Sequence, residues 1–190
     1  MDDKALLQKI GESDPSAVGI LVENNKNLVW HIIISITGRN SDSEDLFQEV
    51  FFQVFKGLKR FRADARLSTW IGSIAHHVCV DYLRKKKKTD SYVNFDNELR
   101  PHIGLSQDAD WKQTENENLN QVLYAAIAKL PAQYRKVITL YHLDEKSYGE
   151  IAAITGMPEG TVKSYISRGR NQLRESLIIL VPDLPEILYD

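Results

Sequence analysis

The chain has 190 residues, 43% of them hydrophobic and 26% charged, and a formal net charge of −2. That balance fits one ordinary folded domain or two small ones; it excludes a disordered chain and gives no overall attraction to nucleic acid. The single cysteine, Cys79, excludes an intramolecular disulfide and cannot build a thiolate metal site alone.

The first residues, MDDKALLQKIGESD, begin acidic and lack the long apolar core of a signal peptide. Asp14-Pro15 is an N-cap followed by proline at the first helical position. The helix it opens carries Val18, Ile20, Leu21, Leu28, Val29, Ile32, Ile33 and Ile36, and Gly38 can end it. Its most apolar run, Leu28 to Ile36, is too short and interrupted to span a bilayer. The expected location is therefore the cytoplasm, without membrane insertion.

Ser41 or Ser43 is the expected cap of a second helix, SDSEDLFQEVFFQVFKGL, with an apolar stripe of Leu46, Val50, Val54, Phe55 and Leu58. A third helix starts between Leu67 and Thr69 and runs into RKKKK at 84–88. From Lys88 to about Thr114 the period stops, as expected of a polar linker. It resumes in ENLNQVLYAAIAKL, and Pro131 then starts AQYRKVITLYHL. A short helix, SYGEIAAIT, precedes Gly156-Met157-Pro158 and a last helix. Helix, glycine-containing turn and helix make a helix-turn-helix signature. The fold expected is all-α, with two small helical domains joined by a flexible linker: residues 1–90, linker 91–115, residues 116–180, and a tail 181–190.

Charge is distributed in blocks. Residues 1–53 are acidic on balance, and 56–88 are basic, with Asp64 and Asp81 the only acids. Such alternation suggests separate faces for separate partners. In the last helix Val162, Ile166, Gly169 and Leu173 form a buried stripe, which leaves Ser164, Ser167, Arg168 and Asn171 opposite and Lys163 on the flank. Those side chains suit the recognition helix of a helix-turn-helix, which reads base edges in the major groove. On the second helix Asp45, Gln48, Glu49 and Phe52 lie off the apolar stripe, a face suited to a basic protein partner. FKGLKRFRADARLSTW interleaves cations with Phe61 and Trp70, as a surface for unpaired bases requires, and the loop Ala63 to Ser68 can form a pocket for a flipped base. Adjacent His76 and His77 point about 100° apart on a helix, and His31, His102 and His142 have no ligand spacing. No phosphate loop or activated nucleophile occurs, so neither an enzyme nor a cofactor is expected.

SEDLFQEVFFQVFKGLKRF, STWIGSIAHHVCVDYLRKKKK and LPAQYRKVITLYHLDEKSYGEIAAITGMPEGTVKSYISRGRNQLR together resemble bacterial sigma factors of the extracytoplasmic-function group, over residues 10–178. The resemblance implies a transcription initiation subunit whose partners are core RNA polymerase and promoter DNA, with an anti-sigma factor as a third candidate. It implies that Asp45, Gln48, Glu49 and Phe52 grip the polymerase clamp. Arg62, Arg66, Trp70, His77 and Arg84 would hold the −10 element, and Lys163, Ser164, Ser167 and Arg168 would read the −35 element. Where many members carry Asn in the −10 reading helix this chain has His77, which leaves its −10 base preference open. Two other classes stay open on the residues alone: a free-standing dimeric helix-turn-helix regulator, and a protein-binding helical adaptor. The basic, aromatic segment before Trp70 argues against both.

Overall fold

A computed structural model describes residues 3–12, 14–90 and 117–180; the expected linker and the 181–190 tail lie outside the described residues. The described residues form eight α-helices and a single 3-10 turn, with no strand among them. The N-terminal half contains α1 (Asp3–Gly11), α2 (Pro15–Thr37), α3 (Ser43–Gly57), the 3-10 turn (Leu58–Arg60) and α4 (Leu67–Asp90). The C-terminal half contains α5 (Glu117–Lys129), α6 (Ala132–His142), α7 (Tyr148–Thr155) and α8 (Glu159–Leu180).

The start of α2 follows from Asp14, whose carboxylate accepts from Ser16 N–H at 2.9 Å and Ser16 hydroxyl at 2.7 Å. These bonds hold the Asp14 carboxyl below its ordinary range. Gly38, at φ +69°, ends the helix with its N–H on the Ile34 carbonyl. Leu21, Val29, Ile32 and Ile33 are buried, as their spacing predicts. Helix α1, which the sequence reading missed, buries Leu6, and Asp3 accepts the backbone N–H of Leu67 at 3.1 Å. An anion thus sits on the N-terminus of α4, where the helix dipole favours it.

The cap expected of Ser41 or Ser43 is corrected. Asp42 occupies the N-cap position and makes no side-chain cap bond. Its carboxylate instead accepts from the Tyr82 hydroxyl on α4 at 2.6 Å, while buried Ser43 accepts from Asn40 N–H. A tertiary bond has drawn off the side chain that local chemistry would have used. Phe51 is also buried beside the expected Leu46, Val50 and Val54.

In the C-terminal half Ser147 and Glu150 form a reciprocal capping box at the start of α7. Gly156 then adopts φ +70°, the left-handed geometry that makes the turn into α8. Gly169 lets α8 lie directly on α6: a Cβ there would stand 2.7 Å from Ile138 Cγ1. The two halves also pack on each other. Helix α2 meets α6 and α4 meets α7, so one apolar cluster runs through both.

Candidate polymerase and nucleic-acid surfaces

Helix α3 buries one side and turns Asp45, Gln48, Glu49 and Phe52 outward together. Phe52 is 61% exposed, which is unusual for a large aromatic beside a formed core. Glu49 is oriented by Gln53, whose amide donates to it at 2.7 Å. The face is acidic, amide-bearing and aromatic, and it suits a cationic, partly apolar protein surface better than DNA.

The 62–70 segment is more heterogeneous than its sequence suggests. Arg62 is exposed, and Ala63 takes φ +59°, so the loop turns sharply before α4. Trp70 is half-buried: its ring packs against Phe61 at 5.1 Å and lies close over Gly57, where a Cβ would be 3.1 Å away. It is therefore a wall of the segment rather than a free stacking platform. Arg66 faces Glu150 of the other half at 3.7 Å. Further along α4, His77 is exposed and donates from Nδ1 to the Ser73 carbonyl, and exposed Arg84 pairs with Asp81 at 3.0 Å.

Helix α8 presents the expected division. Val162, Ile166 and Gly169 are buried, and Lys163, Ser164, Ser167 and Arg168 are exposed on the outside. Neither Lys163 nor Arg168 makes an ion pair among the described residues. Ser164 turns its hydroxyl to the Thr161 carbonyl at 2.9 Å. Arg170 is held differently, 5.0 Å over the Tyr141 ring and donating to His142 Nε2 at 3.2 Å. Burial, and then the Arg170 charge, push the His142 pKa down, which keeps that nitrogen an acceptor.

Sequence reading missed a polar seam between the halves. His31 Nδ1 meets the Asp144 carboxylate at 2.8 Å, and Arg135 donates to the Ser35 carbonyl at 2.9 Å. Lys136 donates to His76 Nε2 at 3.3 Å, Lys146 to the Ser68 hydroxyl at 2.9 Å, and the Thr69 hydroxyl to Glu150 at 3.3 Å. Burial lowers the Arg135 and Lys136 pKa values; burial, then Lys136 and His77, hold His76 down to about 4. A cleft of about 820 Å³ opens beside this seam, between Ala65, Arg66 and Thr69 of the first half and Tyr141, Lys146 and Glu150 of the second. No group of three His, Cys, Asp or Glu able to hold a metal occurs among the described residues, and no helix there is long and apolar enough to cross a membrane.

The sequence matches the sigma-70 region 2 family over residues 21–89 and the sigma-70 region 4 family over residues 120–173. The chain is 32% identical over 182 residues to the extracytoplasmic-function (ECF) RNA polymerase sigma factor SigW of Bacillus subtilis, covering 92% of this chain and 96% of that one. It is 30% identical over 181 residues to the ECF RNA polymerase sigma-E factor of Escherichia coli K12, covering 91% and 93%. Among solved structures, RpoE of Bartonella quintana, crystallised with the anti-sigma factor NepR, aligns with a TM-score of 0.64 at 25% identity, over 84% of this chain and 95% of that one. CnrH, solved with the cytosolic domain of CnrY, has the same fold, with a TM-score of 0.62 at 20% identity over 95% and 98%. The match of both regions in order, together with relatives of nearly equal length, establishes that the chain belongs to the ECF sigma factors of the sigma-70 family.

Proposed function

We propose that this chain binds core RNA polymerase in the cytoplasm and directs it to promoters, acting by binding rather than by a catalytic step of its own. Residues 1–90 take the polymerase-binding and −10 roles and residues 116–180 the −35 role, joined through 91–115. Asp45, Gln48, Glu49 and Phe52 grip the polymerase clamp. Arg62, Arg66, Trp70, His77 and Arg84 contact the −10 element, and Lys163, Ser164, Ser167 and Arg168 read the −35 element. An anti-sigma factor is a further partner of the same surfaces. The observation that carries this reading is the coexistence of an acidic face with exposed Phe52 on α3 and a cationic face on α8 whose Lys163 and Arg168 make no ion pair among the described residues. One face suits a basic protein and the other suits DNA, so polymerase supplies the affinity that a chain of net charge −2 lacks.

The test combines purified core polymerase, a promoter library and the Asp45→Arg, Glu49→Arg double variant. Both side chains are exposed, so folding should change by only a fraction of a kcal/mol. Charge reversal should weaken polymerase binding at least tenfold, about 1.4 kcal/mol or more. Equal affinity before and after would remove the clamp assignment. Tight, two-fold-symmetric duplex binding by the free chain would instead identify a free-standing regulator.

A further inference from the structure

We propose that Asp3 of α1 is a positioning residue for capture of the −10 strand: its carboxylate caps α4 from 64 residues away and so fixes the loop and first turn that carry Arg62, Arg66 and Trp70. This rests on the −10 roles proposed above and adds a residue, on a different helix, that governs the segment they share.

The first ground is a gap in α4 itself. The helix opens at Leu67, and the residue before it is Arg66, whose side chain carries donors and no acceptor. Nothing at that position can do what Ser, Thr, Asn or Asp does at a helix start. The Thr69 and Trp70 N–H groups reach the Arg66 carbonyl, at 3.0 and 3.1 Å. The Leu67 N–H donates instead to Asp3 Oδ2 at 3.1 Å, so the cap that the local sequence lacks arrives from another helix. Its mount is firm: α1 packs on α2, with Leu6 buried and Leu7 and Ile10 half-buried against the same core.

The second ground is that the capped segment does not hold itself. Ala63 sits at φ +59°, a conformation that costs a residue with a Cβ and persists only where its surroundings impose it. Downstream, the imposing contacts are the burial of Leu67 at 1% exposure, the Asp3 bond, and the Trp70 ring on Phe61 at 5.1 Å. Lys146 on Ser68, and Glu150 facing Arg66 and Thr69, reach this stretch from the other half of the chain. Asp3 belongs to the same half as the segment it caps. Charge supplies the third ground. Asp3 brings a negative charge to the edge of a cationic loop proposed to meet DNA, where electrostatics alone disfavours an anion. A purely electrostatic account therefore has strand binding strengthen when Asp3 is lost, and a positioning role has it weaken.

The test uses holoenzyme assembled from core polymerase and the full chain, with a single-stranded oligonucleotide carrying the non-template −10 strand of a promoter selected from the library. Asp3→Ala should weaken oligonucleotide binding about three- to tenfold, the scale of a lost helix cap, and leave affinity for core polymerase within about twofold. Asp3→Asn keeps an acceptor of nearly equal capping power without the charge, and should bind the strand at least as tightly as the wild type. In the free chain, hydrogen exchange at the Leu67 amide should quicken in Asp3→Ala and stay slow in Asp3→Asn. Strand binding unchanged or tighter in Asp3→Ala overturns the proposal, as does an Asn variant as weak as the Ala one. A matching fall in core affinity marks a general loss of packing and overturns it too. Arg62→Ala and Trp70→Ala are measured beside them. If both bind the strand as the wild type does, the −10 assignment falls and the proposal with it. If they weaken binding and Asp3→Ala does not, the positioning role falls alone.

Discussion

The outer face of α8 and the 62–70 segment are both assigned to DNA, yet they are built in different ways. Lys163, Ser164, Ser167 and Arg168 stand on a rigid helix whose back is locked by Val162, Ile166 and Gly169. The 62–70 segment borrows its support: Trp70 leans on Phe61 and Gly57, and Arg66 faces Glu150 of the other half. A reading surface on one helix is complete as soon as that helix folds. A surface in a loop depends on whatever packs beside it, and so can be governed from outside.

The largest effect expected from perturbing this contrast is that of Arg168→Ala. With no ion pair to lose among the described residues, the substitution should leave stability unchanged and weaken use of −35-dependent promoters by about 1–3 kcal/mol, as abortive-initiation assays on matched promoters would measure. Equal activity on all of them would break the assignment of α8. Gly169→Ala attacks the back of the same helix. Alanine gains about 1 kcal/mol of helix propensity, but a methyl 2.7 Å from buried Ile138 costs about 1–3 kcal/mol, so a net loss near 1 kcal/mol should appear in urea unfolding. Arg66→Ala should act differently from Arg168→Ala, because it removes a seam contact together with the −10 contact proposed for this residue. The pair with Glu150 is long and exposed on the Arg66 side, so its loss should change stability in urea unfolding by less than about 1 kcal/mol. Unchanged use of every −10-dependent promoter would remove Arg66 from the −10 set.

A pH dependence is expected as well. His76 is held down to about 4 by burial, with Lys136 of α6 and His77 of its own helix adding to it. A histidine with a depressed folded pKa supports the fold above its unfolded value of about 6.5, and that support is lost as pH falls from there toward 4. The unfolding free energy from urea titration should therefore decline across this window, by up to about 1.4 kcal/mol per pH unit, and His76→Asn should flatten the decline. An identical slope in the variant would place the titration elsewhere.

Legibility in the sequence followed the range of the forces involved. Asp14-Pro15, Gly38, Ser147 and Gly156 act within a turn of themselves, and each marks the helix boundary that its chemistry predicts. The stripe of α8 and the outward set on α3 needed only the 3.6-residue period. Asp42 could not be read, because the group that claims its carboxylate, Tyr82, lies 40 residues away. The seam was hidden for the same reason: His31 and Asp144 are 113 residues apart, Ser35 and Arg135 100, and none sits on a periodic apolar stripe. Polar pairs across such distances leave no local pattern; only the folded packing of α2 on α6 brings them together.

The burial of Cys79 has a consequence for signalling. Burial pushes its thiol up to about 12, so the thiolate that would attack a peroxide or a disulfide is scarce at neutral pH. It is also the chain's only cysteine. Thiol chemistry on this chain is therefore closed to an oxidative signal, and a thiol-based sensor of such a signal has to be another molecule.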